Sequence, residues 1–232
     1  MRTTLMLFFL ALTVTIANSQ TIHFQGEIKG VKDSTKLTVN ILPLTLGADV
    51  ISKEVYCVDG KFSFSSNLVL PMWHLVRIDS DEFFRGNVNY CGDGVSLDIY
   101  CFAFPEDKIS VDAEKAKYGV RFVATGNEIS NQQKCFLDEI FPLEQQLADL
   151  TNQRREPFPE QELDDKIEHI NKEIVKIKLL FMKKHPDWEY SAIILPEFDV
   201  ETAREVYSVF SKNVKNSFFG KYAESFIKDR SR

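Results

Sequence analysis

The sequence of 232 residues lacks the local motifs on which most catalytic sites are built. Its four cysteines include no C-x-x-C pair, the arrangement that thiol–disulfide exchange normally uses. Its four histidines are scattered, and none has the i+3 or i+4 spacing to another histidine or to a cysteine that a local zinc site needs. A G-x-S-x-G elbow, a glycine-rich phosphate loop and an EF-hand loop are also absent. These absences favour a non-catalytic protein without a metal or cofactor.

The sequence also lacks an excess of basic residues. It has 28 lysines and arginines against 34 aspartates and glutamates, and its formal net charge is −6 at pH 7. Nucleic acids and anionic membrane surfaces attract chains of the opposite charge. The composition therefore argues against both. The partners that we expect instead are a protein, in the cell envelope if the chain is exported, or a small ligand.

One long apolar run is present, at the start of the chain. Arg2 supplies a positive charge, residues 5–17 are apolar or small apart from two threonines, and Ala17 and Ser19 are small residues at the −3 and −1 positions of a cleavage site. This is the three-part pattern of a secretory signal, and the run is too short to span a bilayer comfortably. No cysteine lies near the cut to carry a lipid anchor. We therefore expect residues 1–19 to be a cleaved signal peptide and the mature protein to be periplasmic or secreted, with no membrane span.

All four cysteines lie in the mature chain, where an oxidising compartment makes them candidate disulfide or redox thiols: Cys57, Cys91, Cys101 and Cys135. Two of them are placed to face the apolar side of a predicted strand. Cys101 lies two residues after Ile99, and Cys57 lies two residues after Val55, so each shares a strand face with an apolar residue. A buried thiol behaves as a small apolar group with a disfavoured thiolate. Core cysteines with at most one bridge are therefore the simpler interpretation.

Residues 20–125 have the pattern of β-strands. Apolar and polar residues alternate with a period of two over residues 22–28 and again over 37–41. Asp59-Gly60 between two such runs indicates a tight hairpin turn. Roughly six to nine short strands separated by tight turns predict an antiparallel β-sandwich or an open barrel.

Residues 126–232 have the period of helices instead. Apolar residues repeat every three or four positions in two successive stripes: Phe136, Ile140, Leu143, Leu147 and Leu150, then Leu163, Ile167, Ile170, Ile174, Ile177 and Phe181. The short break between them predicts an antiparallel helical hairpin, with Pro142 kinking the first helix or marking its start. Asp199 and Ser217 are positioned to begin two of the two or three shorter helices, over residues 200–212 and 218–229. The fold class is therefore α+β.

Phenylalanine is abundant, with 19 in the chain, and several occur as adjacent pairs. Adjacent aromatic side chains on one strand cannot all face the same core, so some are candidates for a groove or an interface: Phe83, Phe84, Phe218 and Phe219. The simpler alternative is burial on both faces, between the sheet and the helices.

Several short motifs occur in a recognisable order along the mature chain. Phe24-x-Gly26-x-Ile28-x-Gly30 with Asp33 comes first, followed by Asp59-Gly60-Lys61-Phe62-x-Phe64, Gly126-Asn127, His185-Pro186-Asp187 with Ser191-Ala192, and Phe219-Gly220-Lys221. In this order they resemble the N-terminal domain of unknown function that precedes the thioredoxin domain in exported TlpA/ResA-like thiol–disulfide oxidoreductases. Members of that family continue into a thioredoxin domain with a W-C-x-x-C-type motif. We expect that domain and its dithiol to have no counterpart here, so no catalytic residue carries over.

Three functions remain open. The first is an exported, non-catalytic binding or interaction module related to that accessory domain. The second is a thiol–disulfide redox protein that uses its own cysteines, and the third is a structural envelope protein that self-associates through the helical hairpin. Charged substitutions at Ile167 and Ile174 test the third function. They should dissociate an oligomer that is held together by the hairpin, but they should unfold a monomer in which the hairpin seam is internal.

Overall fold

The structure is a computed structural model that describes residues 21–45, 47–68, 70–83, 96, 98–153 and 161–230. Within these residues the chain forms eight strands followed by six helices. The predicted α+β fold class is confirmed, because two separate, largely antiparallel sheets precede the helices. The last strand ends at Thr125 and the first helix begins at Glu128.

The strands have the following bounds: β1 Thr21–Lys29, β2 Lys36–Pro43, β3 Ile51–Tyr56, β4 Lys61–Asn67, β5 His74–Asp79, β6 Asp98–Ala103, β7 Lys108–Ala116 and β8 Gly119–Thr125. The first sheet has the order β4-β1-β7-β8, and the second has the order β3-β2-β5-β6. One pair departs from the antiparallel prediction, since β1 and β7 are parallel. A parallel neighbour needs a long crossover connection, and here the whole of β2 to β6 lies between the two strands.

Alternation along the strands sets the two faces of each sheet. On β1, Ile22 and Phe24 are buried while His23 and Gln25 are exposed. Gly26 takes the next inward position, where a Cβ would collide with the ring of Phe62 and with a neighbouring carbonyl oxygen. This close approach explains why glycine interrupts an otherwise apolar face.

Most other residues of the motif series also hold turns or packing contacts. The Asp33 carboxylate accepts a hydrogen bond of 3.0 Å from Asp59 N, so it joins the turn after β1 to the turn before β4. Asn127 donates to the Phe102 carbonyl at 2.9 Å and to Asp107 at 2.6 Å, and it accepts from Ser130 N. It thereby fixes the start of the helical region against β6.

The six helices are α1 Glu128–Gln153, α2 Gln161–Lys184, α3 Glu189–Ile194, α4 Val200–Val209, α5 Lys212–Asn216 and α6 Phe218–Asp229. Helices α1 and α2 form the predicted antiparallel hairpin, because the start of α1 meets the end of α2. The Phe136 and Phe181 rings are 5.1 Å apart, and Lys184 pairs with Glu139 at 3.6 Å. Pro142 lies inside α1, which begins at Glu128 and continues through it to Gln153, so the alternative that Pro142 marks the start of the helix is wrong.

Capping residues fix the shorter helices. Asp199 accepts a hydrogen bond of 2.9 Å from Thr202 N at the start of α4, and the Ser217 hydroxyl accepts one of 3.2 Å from Gly220 N at the start of α6. Helix α4 ends at Val209, before the predicted residue 212, since Ser211 accepts from Val214 N and begins a separate helix α5. Across the described part of the chain, none of the helices combines the length and apolarity needed to cross a bilayer.

Candidate functional site

Aromatic side chains converge where the second sheet meets the last helix. The ring of Trp73, just before β5, lies 5.4 Å from that of Phe104 and 5.5 Å from that of Phe219. Phe102 on β6 is 5.3 Å from Phe219. Tilted and edge-to-face pairs of this kind contribute about 0.5–1.5 kcal/mol each beyond the area that they bury. The cluster therefore ties helix α6 to the sheet.

Local sequence rules place the two phenylalanines of α6. Because Ser217 caps the helix, Phe218 and Phe219 occupy its first turn. Gly220 then lets α6 approach α5, since a Cβ there would collide with the Val214 carbonyl oxygen. Phe219 packs within the aromatic cluster and is 3% exposed, whereas Phe218 is 37% exposed.

Beside the cluster the surface opens into an apolar cavity of about 600 Å³, which we call the aromatic groove. Its lining comes from the segment after β2, from β6 and from helices α3 and α6: Leu44, Thr45, Phe102, Ile193, Phe218, Phe219 and Tyr222. Sites for small molecules typically measure about 300–1,000 Å³ and have mainly apolar and aromatic walls. The aromatic groove has both properties.

The polar groups of the groove are few. None of the described lining residues carries a charge, and the hydroxyls of Thr45 and Tyr222 are their polar side-chain groups. A charged ligand would lose its hydration there without gaining an ionic partner, which is costly. The lining suits an uncharged, mainly apolar molecule with one hydrogen-bonding group. It places no acid beside a base for proton transfer.

A second depression of about 600 Å³ crosses the outer face of the first sheet and has a different chemistry. Its walls combine the polar side chains of Gln25, Glu27, Lys61, Ser63 and Ser110 with apolar ones such as Tyr56 and Val58. Some of the polar side chains bond to one another, as Gln25 does to Ser110 at 3.3 Å. Unlike the aromatic groove, this depression has charged groups in its lining.

The structure separates the four candidate interface aromatics. Phe218 and Phe219 both line the aromatic groove. Phe83 is 1% exposed and lies in the hydrophobic core, where it presents no surface to a partner. Phe84 lies outside the described residues.

The candidate thiols differ in their burial. Cys57, Cys101 and Cys135 are free, the first two buried and the third exposed, while Cys91 lies outside the described residues. Burial raises the pKa of the Cys101 thiol far above its ordinary value, and the nearby charge of Asp107 adds to this. Burial, followed by the charge of Asp33, also raises the pKa of Cys57. Neither buried thiol is a good nucleophile, because the thiolate is the reactive form.

Titratable side chains do not gather elsewhere into a metal site. In residues 21–45, 47–68, 70–83, 96, 98–153 and 161–230, no group of three or more histidine, cysteine, aspartate or glutamate side chains could hold an ion. His23 bonds to the Ser65 hydroxyl at 2.8 Å, and His185 stacks on Trp188 with ring centroids 3.8 Å apart. Both contacts are explained by local packing.

No protein-family model matches this chain, and no curated protein matches it significantly. The resemblance to the accessory domain of TlpA/ResA-like oxidoreductases therefore stays a prediction that rests on its motif residues. Of those residues, Phe219 is the one that lines the aromatic groove.

The sequence pattern identified only part of the groove. The pair Phe218-Phe219 was a candidate, whereas Ile193 and Tyr222 of the groove and Trp73 of the adjoining aromatic cluster were not. A signal for Tyr222 existed, because it lies four residues after Phe218 and so shares a face of the last helix. No local signal could bring Trp73 to Phe219, which lies in a different element far along the chain.

Proposed function

We propose that this chain is an exported, non-catalytic binding module whose aromatic groove holds a small, uncharged, mainly apolar molecule. The groove is the observation that carries the proposal. Its volume of about 600 Å³ suits one such molecule, and its described walls offer aromatic surface without charge. Export rests on the N-terminal sequence pattern of Arg2 and the apolar run at residues 5–17.

Half-exposed aromatic residues at the rim support binding rather than pure packing. Phe218 is 37% exposed and Tyr222 is 59% exposed, so apolar surface that could have been buried faces the groove opening. Covering a large apolar side chain gains about 1.5–3 kcal/mol. A ligand that covers both rings therefore has a substantial driving force without any ionic contact.

The two alternatives have weaker support. A thiol redox function would need an accessible thiolate, but two of the described thiols are buried with a raised pKa. Self-association through the hairpin would need an open seam, but Ile174 and Phe181 are already buried within one chain. The accessory-domain relationship is compatible with a binding role and supplies no chemistry of its own.

Titration of the secreted, mature protein with the neutral fluorescent probe N-phenyl-1-naphthylamine tests the proposal. We expect saturable binding, and we expect Phe218→Asp to weaken it at least about tenfold, because an unpaired carboxylate is then desolvated. Val209→Asp is the matched control, since Val209 is 53% exposed on helix α4 and is not part of the groove lining.

Circular dichroism and chemical unfolding of both variants establish that they are folded. Equal affinity in the wild type and in Phe218→Asp would contradict the proposal. Equal weakening by both substitutions would contradict it as well, since the effect would then not belong to the groove.

A further inference from the structure

One buried titratable group lies on the strand next to β6, which supplies Phe102 to the aromatic groove, and on the opposite face of the sheet from Phe102. His74 is the first residue of β5 and is fully buried, on the same face of the strand as Val76 and Ile78. Its Nδ1 is 2.8 Å from the Met72 carbonyl oxygen, so Nδ1 carries the proton and donates it. Its Nε2 is buried without a hydrogen-bond partner among the described residues. The ring is therefore held as the neutral tautomer.

Backbone contacts connect His74 to the groove walls on both sides. His74 pairs with Ala103, which stands between Phe102 and Phe104 in the chain, and with Pro43, which precedes Leu44. Trp73, the preceding residue, accepts a hydrogen bond of 3.0 Å from Leu44 N and packs on Phe219. Leu44 and Phe102 of the groove lining are therefore each one residue away from a strand partner of His74.

Among the described neighbours of His74 on the adjacent strands, none offers a free negative charge to the ring. The neighbouring strand β2 contributes Ile41 and Pro43, and β6 contributes Ala103 and Cys101, whose thiol burial keeps protonated. Arg77 and Asp79 on β5 are exposed, and Arg77 pairs with Asp98 of β6. The carboxylate of Asp107, beyond the end of β6, is already bonded to Phe104 N and Asn127.

A second proton on the His74 ring would therefore destabilise the structure around it. Burial lowers the pKa of His74 from its ordinary value of 6.5, opposed only by the bond to the Met72 carbonyl. A second proton on Nε2 would create a buried donor and a buried charge, neither of which has a partner in the described structure. The simplest relief is a shift of the β5 terminus that lets water reach the ring.

We propose that His74 acts as an acid-sensitive switch on the aromatic groove, which holds its apolar ligand at neutral pH and releases it when His74 is protonated. The inference rests on the proposed function of the groove. By linkage, a ligand that binds only the neutral form must in turn oppose protonation of His74.

The test is the affinity of the mature protein for N-phenyl-1-naphthylamine as a function of pH. We expect the wild type to lose affinity by about fivefold or more between neutral pH and about pH 4.5, the lower end of ordinary coupling between sites. His74→Gln keeps a donor for the Met72 carbonyl but cannot take a second proton, so its affinity should stay flat. His23→Gln, on the exposed face of β1, is the matched control and should behave as the wild type does.

A second readout needs no ligand. The chain has two tryptophans, so Trp188→Phe leaves Trp73, which packs on the groove residue Phe219, as the single tryptophan. In this background we expect the Trp73 emission to shift to longer wavelength at acid pH, and we expect the shift to be absent when His74→Gln is added. The same emission shift with and without His74 would overturn the switch.

The outcomes separate the two proposals. Probe binding that is tight at neutral pH and has the same pH profile in the wild type and in His74→Gln overturns the switch but leaves the groove function standing. Absence of saturable probe binding at neutral pH overturns the groove function, and the switch on ligand release with it.

Discussion

The two sheets differ in the side chains that surround the depression on each of them. On the first sheet, polar side chains are exposed and bond to one another, as His23 does to Ser65 at 2.8 Å. On the second, Phe102 lies against Phe219 of the last helix, and Trp73 extends the same aromatic cluster. An antiparallel sheet can leave a polar face in water, whereas an apolar face must be covered.

This difference explains where a binding site forms. Helix α1 packs mainly on β8 of the first sheet, whereas α6 meets the second sheet at Phe102 and leaves much of the surface of Phe218 and Tyr222 exposed. The aromatic groove is the gap that remains there between sheet and helix. The first sheet has a depression of similar volume, but its walls mix apolar side chains with the charged Glu27 and Lys61 and with polar groups that bond to one another, as Gln25 does to Ser110. The two depressions have similar volumes but differ in the side chains of their walls, so they suit different ligands.

The largest expected effect concerns the aromatic cluster that ties helix α6 to the second sheet. Phe219→Ala should lower the free energy of unfolding by about 3–5 kcal/mol, because it removes a buried ring and leaves a cavity in the aromatic cluster. Phe218→Ala is the matched control at the adjacent position and should cost about 1 kcal/mol or less, since its ring is 37% exposed. Chemical denaturation of both variants measures the difference. Equal losses would mean that the two rings are equally buried.

The next effect concerns the approach of the last helix. Gly220→Ala should destabilise the protein by about 1–3 kcal/mol, since the added methyl group must push α6 away from the Val214 carbonyl oxygen. Lys221→Ala, one residue further on an exposed position of the same helix, should have little effect. Thermal unfolding and probe affinity are measured together. A Gly220→Ala variant with unchanged stability would contradict the close contact.

Acid should destabilise the second sheet through His74. Because the pKa of His74 is lowered from 6.5 in the folded state, the unfolded chain binds the proton more readily. The stability associated with the neutral ring is fully present above pH 6.5 and is lost as the pH falls from there through the lowered pKa. We expect this part of the pH dependence to be missing in His74→Gln. Parallel stability curves for the two proteins in this range would contradict the prediction.

Thiol reactivity should distinguish buried from exposed cysteines. N-ethylmaleimide should label Cys135 in the native protein, and Cys57 and Cys101 only after unfolding, because those two are buried. Peptide mass spectrometry of native and unfolded samples measures this, and Cys91 is read in the same experiment. We also expect no turnover in an insulin-reduction assay. Rapid native labelling of Cys101 or robust turnover would favour the redox alternative.

The smallest effect belongs to the polar face. Ser65→Ala removes the hydroxyl partner of His23 on an exposed surface, so unfolding free energy should change by less than about 0.5 kcal/mol. Probe affinity should not change either. A large loss of either quantity would mean that the first sheet contributes more to the fold or to binding than its exposure indicates.

Much of the helical region followed from local rules in the sequence. The cap at Ser217 and the bounds 218–229 of the last helix agree with the structure. Capping acts within a few residues, so the sequence alone contains it. The effect of Pro142 was harder to predict, because helix α1 begins at Glu128 and continues through this residue.

The rest depends on contacts between distant residues. The parallel pairing of β1 with β7 places His23 beside Lys108, and the aromatic cluster brings the rings of Trp73 and Phe219 into contact. Alternation and periodicity report which face of an element is apolar, but not which other element covers it. For the same reason the sequence could not decide whether Phe83 lies at an interface or in the core, where the structure places it.

Methyl-resolved NMR of residues 20–232, titrated with N-phenyl-1-naphthylamine, tests the central comparison most directly. Both depressions are then observed in one sample, through the methyl groups of Leu44, Thr45 and Ile193 in the aromatic groove and the backbone amides of Gln25, Ser63 and Ser110 on the first sheet. We predict saturable shifts in the first set and none in the second. Shifts confined to the first sheet, or no saturable shifts at all, would contradict the account.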